Sequence, residues 1–409
     1  MQASKSNRLF RLRQRTLTLL LLCFFPGVLP ADGQEQTKQR PRRVAGSETQ
    51  STPAKGSPQS GPEDVDEGDV VRVDTQLVSV AAVIKNNSGQ PLPGLRRENF
   101  LVYEDGQQQS ISNFGTTEAP FEIALLLDTS GSTRADVALI RQAANAFINS
   151  LRSGDRVAIV AFNTEQKGNS QIATVEVLSE LTANRQSLQK AIRGLGSANG
   201  TPFYDALERV ARQVFREPPP EEVRGRRAVV ALTDGVDSTS DTDFTAARAK
   251  LSSAGIACYF IQVNTEDFVE DRLLKDCQDD GRLSLSAKQL KRYRAVFIPR
   301  AKSEDFADFC QMGPFERMQI SRSLYNLARG EMDDLAKASG GRNFIAASLQ
   351  DARAAFAQVA NEIGTQYSLG YYPTNKLRDG KFRTIRVEVH GIQGKPQVRA
   401  REGYYAPKK

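Results

Sequence analysis

The chain has 409 residues, 39% hydrophobic and 25% charged, ordinary proportions for a soluble globular protein with room for two or three domains. There is no Trp and a single His, His390, so multi-His zinc and iron centres are excluded and any metal should be a hard cation held by oxygens. The net charge of +7 is concentrated at the start: residues 1–31 carry Lys5, Arg8, Arg11, Arg13 and Arg15 and no acid, which leaves +2 for the rest and argues against a nucleic-acid partner.

That basic start is followed by the apolar run Leu17 to Phe25, the breakers Pro26 and Gly27, and small Ala31. This is the layout of a secretory signal, and the run is too short to span a bilayer. Residues 1–31 are therefore expected to be a signal peptide, and the mature protein to be exported, periplasmic or secreted, with no transmembrane helix. Cleavage removes Cys23 and leaves three cysteines. Cys258 lies in an apolar run, whereas Cys277 and Cys310 lie in a polar segment where an oxidising compartment permits a disulfide between them.

Residues 32–68 are rich in Gln, Ser, Pro, Gly and charge, with too little apolar content to offset ordering entropy, and read as a flexible linker. Order is expected from Asp69, where apolar residues alternate and then change phase to Val78, Val80, Ala82 and Ile84. A turn at 86–89, a strand over 99–104, the tight turn Asp105-Gly106 and a strand over 109–114 complete an N-terminal β segment, 69–118.

From Phe121 the rhythm changes to continuous apolar strands alternating with amphipathic helices. Strands are predicted over 122–127, 156–162, 171–177 (at an edge), 228–232 and 256–263. Helices are predicted over 136–151, 185–192, 204–215, 244–254, 332–339 and 349–363. The pattern implies an α/β fold, a doubly wound and mostly parallel, Rossmann-like sheet, over 119–366. The stretch 267–319 interrupts it and is read as an insertion after the strand ending at Val263, longer than ordinary connections. Its basic run, Arg282, Lys288, Lys291, Arg292, Arg294, Arg300 and Lys302, is either a self-neutralising loop closed by Cys277 and Cys310 or a basic specificity loop at the rim of the site. Strands over 367–372 and 382–390 return the β rhythm in a C-terminal segment, 367–409. Each β segment is too small to stand alone, so the two are expected to pair into one antiparallel sandwich flanking the α/β unit.

Ligands of open α/β sheets bind outside the carboxyl ends of the strands. There the sequence places Asp128-Thr-Ser-Gly-Ser132, then Gly200-Thr201-Pro202, then Thr233-Asp234-Gly235. The two carboxylates and three hydroxyls of Asp128, Ser130, Ser132, Thr201 and Asp234 form an oxygen set suited to Mg²⁺ or Mn²⁺. In these five positions, in this order, the sequence resembles the von Willebrand factor type A domain and its metal-ion-dependent adhesion site. The flanking Leu95 to Gly106, Gly370-Tyr-Tyr-Pro373 and Gly403-Tyr-Tyr405 are similar to the acidobacterial group of such proteins.

The resemblance implies that the serines and the threonine ligate the metal, that the acids act directly or through water, and that an Asp or Glu carboxylate of a protein partner completes the sphere. It further implies an adhesion or protein-binding module and no enzyme. Two other readings stand beside it. One is a cell-envelope scaffold or assembly factor whose metal is structural. The other is a hydrolase, for which the sequence supplies neither a Gly-Xaa-Ser-Xaa-Gly elbow nor a second aspartic-protease motif.

Overall fold

The first buried strand of the α/β unit is apolar on both faces. Its odd positions, Ile123, Leu125 and Leu127, enter one core and its even positions, Ala124 and Leu126, enter another. A strand of that kind must be covered by helices on two sides. The computed structural model describes residues 77–133, 137–273, 285–302 and 309–408. The expected signal peptide, the linker, the start of the first β segment and Cys277 lie outside the described residues.

The α/β unit runs β5 (Glu122–Leu127), α1 (Val137–Ser150), β6 (Arg156–Lys167), β7 (Ser170–Thr182), α2 (Arg185–Arg193), α3 (Phe203–Arg209) and β8 (Arg227–Thr233). It continues through α4 (Phe244–Ser253), β9 (Ala257–Val263), α5 (Glu266–Leu273), α6 (Ala287–Phe297), α7 (Pro314–Ser339), β10 (Arg342–Ala346) and α8 (Ala352–Gly364). The six strands lie in the order β10-β9-β8-β5-β6-β7, parallel except for β7, which returns antiparallel beside β6. Helices α1, α2 and α8 cover one face, around Ile140, Phe147, Leu188 and Phe356. Helices α3 and α4 and the end of α7 cover the other, around Phe203, Leu207, Leu251 and Met332. The chain winds outward from β5 in one direction and from β8 in the other, so the switch point lies between these two strands.

The flanking strands are β1 (Val78–Lys85), β2 (Phe100–Glu104), β3 (Gln107–Gln109) and β4 (Ile111–Gly115) before this unit, and β11 (Gln366–Tyr371), β12 (Phe382–Val389), β13 (Gln397–Ala400) and β14 (Gly403–Tyr405) after it. They form two four-stranded antiparallel sheets, β13-β1-β11-β4 and β14-β12-β2-β3. Each mixes strands from both sides of the α/β unit: Val80 pairs with Leu369 and Val102 with Val387. Between them lies one core, with Val80, Ala82, Ile84, Phe100, Val102, Leu369 and Val387. The apolar phases expected for β1 and β12 are the buried ones.

Three expectations need correction. The strand β10 was not anticipated; it is a five-residue edge strand behind Gly340-Gly341 whose Ile345 is exposed, so only Phe344 and Ala346 signal burial. A Cβ on Gly341 would stand 1.9 Å from the Cys258 carbonyl oxygen, the close approach that admits this strand beside β9. Second, the predicted helix over 204–215 divides into α3 and a π-type turn over Val210–Val214. Third, the insertion is not a loop. Its described part holds α5, α6 and the start of α7, and the helical insertion extends past residue 319 through the first half of α7, these helices packing into a core with Leu273, Leu290, Phe309, Ile320 and Leu324. Helix α7 starts with Pro314 at its first turn, a position where the missing N–H costs nothing, and ends on Gly340 in the left-handed region.

Among the described residues no helix is long and apolar enough to cross a membrane. Cys258 is free and buried, and Cys310 is disulfide-bonded.

Candidate metal centre

Adjacent strands β5 and β8 end in register, Leu127 opposite Leu232, so the residues that follow, Asp128 and Thr233, stand side by side. The Asp128 amide donates to the Leu232 carbonyl at 3.0 Å. Its carboxylate is buried and both oxygens are held: Oδ1 accepts the Ser130 amide at 2.9 Å and Oδ2 the Thr233 hydroxyl at 2.6 Å. The loop turns back at once, with the Thr133 hydroxyl donating to the Asp128 carbonyl and the Thr129 hydroxyl to the Phe162 carbonyl of β6. Ser130 and Ser132 thereby point the same way, their Oγ atoms 3.4 Å apart. Neighbouring oxygens of an octahedral Mg²⁺ stand about 3 Å apart.

After β8, Asp234 turns its Oδ2 toward Ser132, whose hydroxyl donates to it at 2.8 Å, while Oδ1 accepts the Val236 amide at 3.0 Å. Gly235 follows with φ +75, and a Cβ there would collide with the Met332 side chain at 2.4 Å. Thr201 precedes α3. Its amide donates to the Ser238 hydroxyl and its carbonyl accepts the Ser238 amide, which fixes this loop to the one that carries Asp234. The Ala198 amide donates to the Thr129 carbonyl and so joins the same loop to the Asp128 side. Hydrogen bonds thus link Asp128, Ser130, Ser132 and Asp234 through side chains, and Thr201 through its backbone. Among the described residues the Thr201 hydroxyl makes no hydrogen bond.

The electrostatics are those of a site short of positive charge. Burial, and then the neighbouring Asp234 carboxylate, push the Asp128 carboxyl from its ordinary 3.8 up to about 7. No Lys or Arg among the described residues pairs with either acid, and there is no group of three or more His, Cys, Asp or Glu side chains able to hold a metal. The donors are therefore two carboxylates plus hydroxyls, the chemistry of a hard divalent cation. Ser132 directs its one proton at Asp234, so its contact with Ser130 uses the Ser130 proton and one Ser132 lone pair is left for a cation. The five residues fit a Mg²⁺-type ion, which would meet two acids that no Lys or Arg of the described residues pairs with.

Two neighbours were not foreseen. Thr265, just past β9, donates from its hydroxyl to Asp234 Oδ2 at 2.7 Å, and Tyr325 of α7 places its hydroxyl 2.7 Å from that of Thr265. The strand-end rule that located Asp128 and Asp234 applies equally to Thr265, since β9 adjoins β8. Nothing in the sequence indicated Tyr325, which belongs to the part of α7 between the expected insertion, 267–319, and the expected helix, 332–339.

The domain is thus a doubly wound α/β sheet with acid-and-hydroxyl loops at its switch point. Residues 122–288 of the chain match the family model of the von Willebrand factor type A domain. No curated protein matches the sequence. Among solved structures, the fold is similar to a von Willebrand factor type A protein from Catenulispora acidiphila, at 13% identity over 80% of this chain and 74% of that one, TM-score 0.39. It is also similar to proximal thread matrix protein 1 from the mussel byssus, at 12% identity over 60% of this chain and 48% of that one, TM-score 0.38. A third likeness is to the pilus adhesin SpaC from Lactobacillus rhamnosus GG, at 11% identity over 80% and 46%, TM-score 0.36. The chain thus spans about half the length of the mussel and pilus proteins it matches.

Proposed function

We propose that the protein is an exported, metal-dependent adhesion or protein-binding module in which Asp128, Ser130, Ser132, Thr201 and Asp234 hold Mg²⁺ or Mn²⁺ and a carboxylate from a partner protein meets that ion. One observation carries the reading: two buried carboxylates stand together at the switch point, Asp234 accepting the hydroxyl of Ser132 from the loop that Asp128 begins, with no cationic side chain of the described residues paired with either. When bound, the ion would supply the positive charge that the acids lack and a Lewis-acidic position for an incoming carboxylate. The chain's own part is positional. Ser130 amide and Thr233 hydroxyl fix the Asp128 carboxylate, Ser132 spans the two loops, and the Ser238 contacts hold Thr201 against them. Ser132, half-buried where Asp128, Ser130, Thr201 and Asp234 are buried, is the edge from which a ligand would approach. A hydrolase lacks support at this site, since His390 lies exposed past β12 in the antiparallel unit, 3.4 Å from Glu388.

Titration calorimetry with MnCl₂ tests the site. The wild-type protein should bind one equivalent and Asp128→Ala none; equal binding by both, or by neither, overturns the assignment. The burial of four of the five donors favours, as a second reading, an envelope scaffold with a structural ion. Binding to arrayed acidic peptides in Mg²⁺ and in EDTA separates the two: binding that disappears in EDTA while the fold persists supports adhesion.

A further inference from the structure

The residues at the ends of β5 and β8 account for both oxygens of Asp128, through Ser130 and Thr233, but leave Asp234 half explained. Its Oδ2 accepts two hydroxyls, Ser132 at 2.8 Å and Thr265 at 2.7 Å. A threonine has one hydroxyl proton, and that of Thr265 is directed at Asp234. The 2.7 Å contact between Thr265 and Tyr325 must therefore use the tyrosine's proton, which makes a directed chain: Tyr325 donates to Thr265, and Thr265 to Asp234. All three groups are buried, with Tyr325 only 4% exposed on a helix contributed by the insertion.

The rest of the loop after β8 is held by the same insertion. Val236 packs into the insertion's own core beside Leu324 and Tyr325. Ser286, at the start of α6, donates to the Ser238 carbonyl at 2.6 Å, and Lys288 Nζ donates to the carbonyls of Thr239 and Ser240 at 2.8 and 3.0 Å. Two insertion helices therefore grip the segment that begins with Asp234 and reaches back to Thr201 through Ser238.

We propose that Thr265 and Tyr325 are positioning residues of the metal centre, through which the helical insertion sets the orientation of Asp234 and hence the cation affinity of the site. The inference rests on the metal reading above and adds to it a control element outside the five-residue motif. Two donors on one carboxylate oxygen lock its rotation, so removing one frees Asp234 to turn away from Ser132. Outer-shell partners of metal ligands commonly set affinity by roughly 10–100-fold.

The test is Mn²⁺ affinity by titration calorimetry, together with thermal unfolding in EDTA, on the full chain carrying Thr265→Val, Thr265→Ser, Tyr325→Phe or Asp128→Ala. Thr265→Val should weaken Mn²⁺ binding by about tenfold or more. Thr265→Ser, which keeps the hydroxyl, should restore it to near the wild-type value. Tyr325→Phe removes only an oxygen, keeps the packing of α7, and should weaken binding by a few-fold with the Thr265→Val change no longer adding in full. If Thr265→Val does not fold, the Tyr325→Phe result decides. Wild-type Mn²⁺ affinity in Tyr325→Phe and Thr265→Val, with only the unfolding temperature lowered, makes their role purely structural and overturns this inference while leaving the metal site standing. Absence of Mn²⁺ binding in the wild type, or its retention in Asp128→Ala, overturns the metal reading and this inference together.

Discussion

Strand β5 begins and ends beside a buried acid, and the two are treated in opposite ways. Glu122, at its start, is 1% exposed and meets two guanidinium groups, Arg156 Nη1 at 2.9 Å and Arg227 Nε at 2.8 Å. Asp128, one residue past its end, is fully buried and meets an amide, a hydroxyl and the second carboxylate of Asp234. At one end of the sheet the chain neutralises its own charge; at the other it gathers negative charge and, among the described residues, supplies only neutral donors. A buried ion is tolerated when paired, so the first arrangement is complete and the second calls for a cation from outside.

The sharpest way to break this contrast is to neutralise each acid in turn in EDTA at pH 7. Glu122→Gln leaves two guanidiniums, one of them buried, facing a neutral amide, and should cost about 3–5 kcal/mol in urea unfolding. Asp128→Asn should act with the opposite sign, since it removes both the burial penalty and the repulsion from Asp234. A gain on the order of 2 kcal/mol is expected. A loss of similar size in both variants would mean that Asp128 is as well neutralised as Glu122.

The next effect lies on the same loop as Asp234. Burial raises the Asp237 carboxyl from 3.8 to about 6, despite the Ser240 hydroxyl and the Tyr204 amide that donate to it. Because the folded-state value is raised, its contribution to stability is full below about 4 and is lost as pH rises through about 6. Thermal unfolding of the metal-free protein across this range should show that decline, and Asp237→Asn should flatten it; an unchanged slope in the variant counts against the assignment. The smallest effect is expected at Thr201, whose hydroxyl bonds to nothing among the described residues. Thr201→Val should leave stability in EDTA within about 0.5 kcal/mol, as for a change that touches no bonded group. It should weaken Mn²⁺ binding by about tenfold, the loss of one neutral ligand, or about 1.4 kcal/mol.

The sequence showed most clearly what repeats or what turns sharply. Continuous apolar strands announced the central sheet, and the period-2 pattern of β1 and β12 announced the faces that now meet in the flanking core. The five candidate ligands were legible because each sits at the end of a strand or the start of a helix and belongs to a short local motif. What was hidden is non-local. Thr265 matters only because β9 lies beside β8, and Tyr325 only because α7 packs over the loop after β8. Helix α7 itself was obscured by Gly330 in its middle and by Arg317, a charged residue on its buried side that donates to the Met312 carbonyl and lies over the Phe309 ring. The short β10 had too few residues to show a period. Charge patterning also misled, since Arg292, counted in a basic run, is committed to Glu331 and the ring of Tyr204.

The interleaved pairing of the outer sheets has a consequence for synthesis. The α/β unit is one uninterrupted stretch of chain, able to collapse as soon as α8 has been made. The strands β1 to β4 precede it by order of translation, yet β1 finds its neighbours only in β11 and β13, and β2 finds one of its two in β12. Until the C-terminal strands emerge, Val78, Val80, Ala82 and Ile84 have only the β2–β3 half of the opposing sheet and β1 has two open edges. Contacts so distant along the chain form late. The C-terminal strands therefore act as a completion signal: a nascent or truncated chain lacking them presents a sticky apolar sheet to chaperones and proteases, and only the full-length product conceals it.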